Sequence, residues 1–163
     1  HRWQGSSPFT GTADAVELHE GYDNLITRMA QEIMFIPTLD VLSGERSLGS
    51  LRVAGMTDVV RRFHERGGLI AIGNDYPLGV TQPGIPFGEM EHMIAAGLSE
   101  MEVIVAGTKH SAIVCGHGDE LGTLEPDKLA DLILVEGNPL EAISTLENLK
   151  LVMLDGEVAF DYR

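Results

Sequence analysis

The segment of residues 122–140 constrains the fold of this chain more than any other part of its sequence. It contains the turn sequence Glu125 to Lys128, then the apolar run Leu129 to Val135, then a second turn sequence, Gly137 to Pro139. A short apolar run that Pro, Gly, Asn and Asp turns bound on both sides predicts a buried β-strand, because a helix normally needs ten or more residues. The segment is therefore predicted to enter a β-structure.

Further strand signals follow along the chain. The apolar runs 149–154 and 157–160 flank Asp155-Gly156, which is the dipeptide typical of a two-residue hairpin with a primed turn. We predict that residues 121–124, 129–135, 149–154 and 157–160 pair in one β unit. We expect this unit to lie far from Asp75.

Upstream of about residue 118, apolar runs and helical stripes alternate, which predicts an α/β fold. Strands are predicted at 14–19, 34–39 and 69–72, and loops at 43–55 and, as a stiff segment, at 76–86. Helices are predicted at 23–33, with Asp23 as the cap, and from Thr57 as the cap to the stop at Gly67-Gly68. Two more helices are predicted, one from Phe87 and one that the capping box Ser99 to Glu102 opens. The continuously apolar run 69–72 is typical of a parallel strand that is covered on both faces.

The segment 122–140 closely resembles the tail of the metal-dependent amidohydrolases, in the branch of imidazolonepropionase-like and Xaa-Pro dipeptidase-like enzymes. This resemblance implies that residues 1–118 are the C-terminal portion of a (β/α)8 TIM barrel, strands 6 to 8, and that residues 119–163 are part of a small composite β-sandwich. It also implies that position 1 falls in the middle of a barrel, so the chain is expected to be a partial one.

Asp75 is the first candidate site residue. It follows the predicted strand 69–72, and catalytic residues of such barrels sit at the C-terminal ends of strands. Gly73-Asn74-Asp75 resembles the family's Gly-Thr-Asp or Gly-Ser-Asp, with Asn74 in place of the hydroxyl residue. In the family this Asp binds the metal and transfers a proton from the attacking water to the leaving nitrogen. By position alone it could equally be an ordinary turn aspartate.

His19 is the second candidate, because it precedes a helix and a Pro-Thr-Leu strand as the family's sixth-strand histidine does. The resemblance implies that it binds a metal or faces the substrate, although Leu18-His19-Glu20-Gly21 departs from the commoner Glu-His-Gly. The remaining histidines are assigned no ligand role: His1 is terminal, His64 is expected to be solvent-exposed, His92 lies on a polar helix face, and His110 and His117 are expected to be structural. Cys115 is expected to be a buried, inert thiol.

The composition narrows the partners. With 25 acidic and 11 basic residues the net charge is -14, which repels nucleic-acid phosphates and anionic lipids. One cysteine in 163 residues excludes an internal disulfide and fits a reducing, cytoplasmic compartment. We expect a small-molecule substrate and a homo-oligomer, with neither nucleic acid nor membrane as a partner.

Two functional hypotheses follow. The first is a hydrolase of C–N bonds that uses a divalent metal, most simply Zn, with Asp75 and His19 as catalytic residues and metal ligands. The family's His-x-His pair is absent from all 163 residues, so the chain alone is expected to be inactive. The second is a non-catalytic α/β module for binding or assembly that lacks the N-terminal ligands. The sequence does not choose among dipeptide, cyclic amide and other C–N substrates.

Overall fold

A computed structural model describes the backbone of residues 15–43, 49–78 and 81–162 and the side chains of residues 21–41, 53–78 and 81–162. The helices are α1 (Ala15–Glu32), α2 (Leu39–Ser43), α3 (Gly49–Glu65), α4 (Phe87–Ala95), α5 (Glu100–Val105) and α6 (Ser111–Val114), with a π-helical segment at Ala106–His110 and a 3-10 helix at Ile143–Glu147. The strands are β1 (Met34–Phe35), β2 (Leu69–Ile70), β3 (Leu132–Val135), β4 (Leu149–Leu154) and β5 (Glu157–Asp161). The α/β class is therefore confirmed.

Strands β1 and β2 form a short parallel pair, in which Met34 is opposite Leu69 and Phe35 is opposite Ile70. The pair continues beyond the strands through a hydrogen bond of 3.0 Å from the Ala71 N–H to the Phe35 carbonyl. Both strands are shorter than the predicted runs 34–39 and 69–72. Leu69 is 46% exposed, so β2 is not covered on both faces by the described residues.

The core lies between this pair and the helices. Its fully buried side chains come from α1, α2, α3, α4 and α5, and the largest are Phe63, Ile26, Leu39, Met93, Glu89, Val60 and Val103. The rings of Phe35 and Phe63 pack at 5.3 Å between centroids. Arg62 donates to the Asp23 carboxylate at 2.8 Å and so joins α3 to α1.

Two of the predicted helix starts are wrong. Helix α1 begins at Ala15, so residues 15–19 do not form the predicted strand, residue 14 lies outside the described residues, and Asp23 lies inside the helix. Helix α3 begins at Gly49, and Thr57 lies within it. The Thr57 hydroxyl donates to the Val53 carbonyl at 2.7 Å. A residue typical of caps can occupy a helix interior when its side chain bonds the preceding turn, which explains the error.

The capping box at the start of α5 is confirmed. The Ser99 hydroxyl accepts from the Glu102 N–H, and the Glu102 carboxylate accepts from the Ser99 N–H at 2.8 Å. The helical run continues through the π segment into α6 and attaches to β2. The His110 Nδ1 lies 2.8 Å from the Ile70 carbonyl oxygen, and the Ile72 N–H donates to the Ser111 hydroxyl at 3.3 Å.

The second sheet is antiparallel, in the order β3-β4-β5. The hairpin prediction is confirmed, because Asp155 (φ 50°) and Gly156 (φ 78°) both have positive φ, as a primed two-residue turn requires. The prediction of a fourth strand at residues 121–124 is wrong, because they form bends and irregular structure. The Gly122 φ of 89° explains this, since a left-handed residue interrupts an extended strand.

The sheet meets the same core as the helices through Val135 of β3, which packs against it, and the 3-10 helix between β3 and β4 contributes Ile143 and Leu146 to that core. Among the helices that the structure describes, none has both the length and the apolar character needed to cross a membrane.

Candidate functional site

Asp75 lies in the loop that leaves the carboxyl end of β2. Its side chain is exposed and its backbone is left-handed, with φ of 52°. Non-glycine residues adopt this conformation at a cost, and Asp and Asn do so most readily. The Asp75 carbonyl accepts from the Leu78 N–H at 2.8 Å, which closes a tight turn after the strand. The predicted position at a parallel strand's end is therefore confirmed, while its catalytic role stays a prediction.

The departure from the family's hydroxyl residue at Asn74 has a structural consequence. The Asn74 amide donates to the Gln82 carbonyl at 2.9 Å, and its oxygen accepts from the Tyr76 N–H at 3.2 Å. One side chain thus joins the two ends of the loop that carries Asp75. A Ser or Thr hydroxyl is too short to make both contacts, so Asn is suited to holding this loop.

The loop before Asp75 packs closely on the segment that follows β1. A Cβ at Gly73 would lie 2.7 Å from Cγ2 of Ile36 and 3.4 Å from Cγ2 of Thr38. Thr38 itself has a φ of 48°. The absence of a side chain at Gly73 therefore brings the carboxyl ends of β1 and β2 together.

Glu89 is a buried carboxylate in the first turn of α4, and sequence reasoning did not identify it. It is 0% exposed, and its Oε2 accepts from the Asp40 N–H at 2.8 Å. Burial raises the pKa of Glu89 to about 7, against the opposing effect of the Asp40 and Leu39 N–H groups. The carboxylates of Asp40 and Asp75 add smaller contributions that also raise this pKa. One signal could have found Glu89: it lies one turn before Met93 on an otherwise apolar helix face.

A cavity of about 830 Å³ lies beside the β2 end, between the helices and β3. Asn74, Pro86, Thr108 and Leu132 contribute to its mostly apolar lining, and Asp75 does not. The prediction that the loop 76–86 lines a pocket is confirmed for its last residues. That the β unit lies far from Asp75 stays a prediction, although β3 and Asn74 border the same cavity.

Two expectations about reactive side chains are wrong. His64 is only 27% exposed, and its Nε2 lies 2.9 Å from Oε1 of Glu102, so it joins α3 to α5. Together with the Ser99 contacts, this interaction lowers the pKa of Glu102 to about 2.

Cys115 is exposed, because it follows α6 in a turn rather than packing in the core. His117 is paired with Glu120 at 3.0 Å, as a structural histidine would be.

The structure does not bring His19 and Asp75 together within the described contacts. The backbone of His19 belongs to α1 instead of ending a strand, and its side chain lies outside the described residues, as does all of His1. Among the side chains that the structure describes, no three His, Cys, Asp or Glu residues are grouped so that they could hold a metal ion. The described donors of this chain therefore do not fit a divalent metal by themselves.

The chain is similar in sequence to imidazolonepropionases. It is 33% identical over 86 residues to an imidazolonepropionase of Caldanaerobacter subterraneus, an alignment that covers 50% of this chain and 20% of that enzyme. It is 35% identical over 78 residues to the imidazolonepropionase of Syntrophobacter fumaroxidans, covering 47% of this chain and 18% of the enzyme.

A similar solved structure is that of a Xaa-Pro dipeptidase with bound methionine in the active site. It has a TM-score of 0.71 and 28% identity, and the match covers 83% of this chain but 36% of the dipeptidase. The chain therefore spans well under half the length of these relatives. Residues 11–159 match the model of the amidohydrolase family, which is most of the sequence. The chain belongs to the amidohydrolase family.

Proposed function

We propose that this chain is part of an enzyme that hydrolyses a C–N bond of a small molecule, with Asp75 as the group that transfers the proton. The observation that carries the proposal is the position of Asp75 at the carboxyl end of β2, in a chain of the amidohydrolase family. The similarity to imidazolonepropionases and to a Xaa-Pro dipeptidase supports a cyclic amide or a dipeptide as the substrate class.

In the proposed reaction, a water molecule attacks the carbonyl carbon of the substrate. The Asp75 carboxylate accepts a proton from this water and returns it to the nitrogen as the C–N bond breaks. The exposure of Asp75 and the rigid turn around it are consistent with this role, since a proton-transferring group must reach the substrate in a fixed geometry.

The family resemblance also supports a divalent metal, Zn by preference, with Asp75 and His19 among its ligands. Because the described residues do not form a ligand set, the remaining ligands would come from other parts of a complete protein. The two imidazolonepropionases are several times longer than the segment that matches this chain, which is consistent with ligands outside that segment.

The architecture proposed from the sequence completes this picture. Residues 1–118 would supply strands 6 to 8 of a barrel, with β1 and β2 as two of those strands, and residues 119–163 would supply part of a β-sandwich through β3, β4 and β5. The parallel pairing of β1 with β2 and the separate antiparallel sheet support this division.

The experiment is an assay of the complete protein against matched amide substrates: Xaa-Pro dipeptides, other dipeptides and cyclic amides. Hydrolysis of one class, lost after dialysis against a chelator and restored by Zn²⁺, is the expected result. A folded complete protein that cleaves none of these substrates, with or without added metal, would favour the non-catalytic binding or assembly module instead.

A further inference from the structure

We propose that Glu89 is a positioning residue, which holds the segment after β1 in place so that this segment supports the loop that carries Asp75. The inference rests on the proposed function, in which Asp75 is the proton-transferring group. It assigns to α4 a task in the site that neither its sequence pattern nor the candidate ligands indicate.

Glu89 makes a hydrogen bond to the segment that follows β1. Its Oε2 accepts from the N–H of Asp40, a residue 49 positions earlier, at the start of α2. This bond is charge-assisted when Glu89 is ionised, and bonds of that kind are roughly twice as strong as neutral ones. It therefore fixes the backbone of residues 38–40 against α4.

Packing on either side also holds this segment. A Cβ at Gly88 would lie 2.5 Å from Oδ1 of Asp40, and a Cβ at Gly73 would lie 2.7 Å from Cγ2 of Ile36. The segment 36–40 is thus confined between α4 and the loop after β2. Asp75 is two residues beyond Gly73, so a displacement of the segment removes the support beneath Asp75.

The backbone is left-handed at both ends of this contact. Thr38 and Asp75 have φ values of 48° and 52°. Left-handed backbone is unfavourable for residues other than glycine, and it persists only where the surrounding contacts fix it. The hydrogen bond from the Asp40 N–H to Glu89, two residues after Thr38, is one of those contacts.

Packing alone does not explain a carboxylate at the buried position 89. The Oε1 of Glu89 is buried without a hydrogen-bond partner among the described residues. An unpartnered buried polar atom is destabilising, and an apolar side chain at this position would avoid that loss of stability. A carboxylate is explained by the bond it makes to residue 40, because a Leu or Met could not make it.

The experiment compares three variants of the complete enzyme. Glu89→Ala removes the bond, Glu89→Gln keeps an acceptor oxygen in nearly the same place, and Met93→Ala is the matched control. Met93 is also 0% exposed and lies one turn further along α4, so its truncation leaves a comparable cavity without touching the Asp40 bond. The measurements are kcat, KM, the melting temperature, and hydrogen–deuterium exchange of peptides spanning residues 36–41 and 72–78.

The expected result is a kcat about 10- to 100-fold lower in Glu89→Ala, since small misplacements of a reacting group have effects of this size. KM should change by less than about twofold, because substrate contacts are not removed. Glu89→Gln should recover kcat to within about threefold of wild type, because it still accepts the Asp40 N–H. Exchange should increase in both peptides for Glu89→Ala only.

Three results would overturn the proposal. The first is a folded Glu89→Ala enzyme with wild-type kcat, and the second is an equal loss of kcat in Met93→Ala. The third is a Glu89→Gln variant as impaired as Glu89→Ala, which would mean that the charge itself takes part in the reaction. If the wild-type enzyme cleaves no C–N bond, the proposed function fails, but exchange still decides: unchanged exchange at 72–78 in Glu89→Ala would refute the positioning role.

Discussion

Glu89 makes the stability of this protein depend on pH in an unusual direction. Its pKa is about 7 in the folded protein, against 4.5 for an ordinary Glu, so the folded state binds more protons between these values than the unfolded state does. Stability must therefore fall as the pH rises from 4.5 through 7. At about 1.4 kcal/mol per pH unit of pKa difference, the change is roughly 3 kcal/mol at most.

We expect Glu89→Gln to remove this dependence. The variant should gain free energy of unfolding relative to wild type as the pH rises from 4.5 to 7, with no further change above 8. Urea denaturation of the complete protein at several pH values measures this difference. Glu91→Gln, an exposed neighbour on the same helix, is the control and should follow wild type. A constant difference between Glu89→Gln and wild type across this range would show that Glu89 is ionised throughout.

Gly68 provides a second test at the level of single residues. A Cβ there would overlap the ring of Phe63, which is fully buried in the core. Gly68→Ala should lower the free energy of unfolding by about 1–3 kcal/mol, the usual cost of overpacking.

Gly21→Ala is the opposite case, because Gly21 lies inside α1 and a Cβ there would have no neighbour within 4 Å among the described residues. It should raise stability by about 0.5–1 kcal/mol, and urea denaturation of both variants measures these changes.

The sequence located Asp75 but not Glu89, and the reason is physical. A carboxylate after a short apolar run and a glycine is visible as a strand-end residue, because local pattern alone defines its position. The burial of Glu89 depends on the approach of residue 40, which is 49 positions away, so the apolar helix face around Glu89 is a weak local sign of it. The prediction for Cys115 failed for a similar reason, since its exposure depends on how the end of α6 meets its neighbours.

At the scale of elements, the capping box of α5 carries a specific prediction. Ser99→Ala should destabilise the protein by about 0.5–2 kcal/mol, the usual cost of losing an N-cap. Thr108→Ala is the control, because the Thr108 hydroxyl donates only to the Ile104 carbonyl in an exposed part of the helical run. Thermal denaturation of both variants measures the difference. Equal melting temperatures for the two variants would mean that α5 does not depend on its cap.

The same element predicts an acid limit of stability. The pKa of Glu102 is lowered to about 2, first by the Ser99 contacts and then by His64. A lowered carboxyl pKa contributes stability that is present above about 4.5 and is lost as the pH falls toward 2. Glu102→Gln should therefore lose less stability between pH 5 and 3 than wild type does, and urea denaturation at several pH values measures this difference.

Two helix ends that were predicted correctly have two signals in agreement. Ser99 with Glu102 forms a reciprocal pair, and Gly67 follows the last apolar position of α3 with a φ of 74°. The predicted starts at Asp23 and Thr57 each depended on a single residue of the type that caps helices, and both residues lie inside helices. Single cap residues are weak signals, because Ser, Thr and Asp also occur within helices that tertiary packing stabilises.

At the scale of the whole molecule, the described sheet leaves apolar side chains uncovered. Val158, Phe160 and Tyr162, on β5 and at its end, are 52%, 58% and 62% exposed, and the rings of Phe160 and Tyr162 stack at 6.3 Å on one face. Within the sheet that the structure describes, β5 pairs only with β4. An exposed edge strand with an apolar face favours association with another chain or segment.

We therefore expect the isolated chain of residues 1–163 to self-associate, in agreement with the predicted homo-oligomer. The double variant Phe160→Lys with Tyr162→Lys should shift sedimentation toward the monomer, because these two stacked rings lie on one face of the sheet. Val158→Lys is the control and should leave association unchanged, because Val158 is opposite Met153 while Phe160 is opposite Val152, which places Val158 on the other face. A compact wild-type monomer with a cooperative melt would contradict this expectation.

The central claim, that Asp75 transfers the proton in C–N hydrolysis, is tested most directly by the turnover of Asp75→Asn in the complete enzyme. Asn tolerates the left-handed backbone at this position, so folding should be preserved. Asp127→Asn is the matched control, because Asp127 is also a turn aspartate, with φ of 69°, remote in sequence from β2. The account predicts a kcat at least about 100-fold lower for Asp75→Asn and unchanged for Asp127→Asn. A folded Asp75→Asn enzyme that keeps more than about a tenth of wild-type turnover would contradict it.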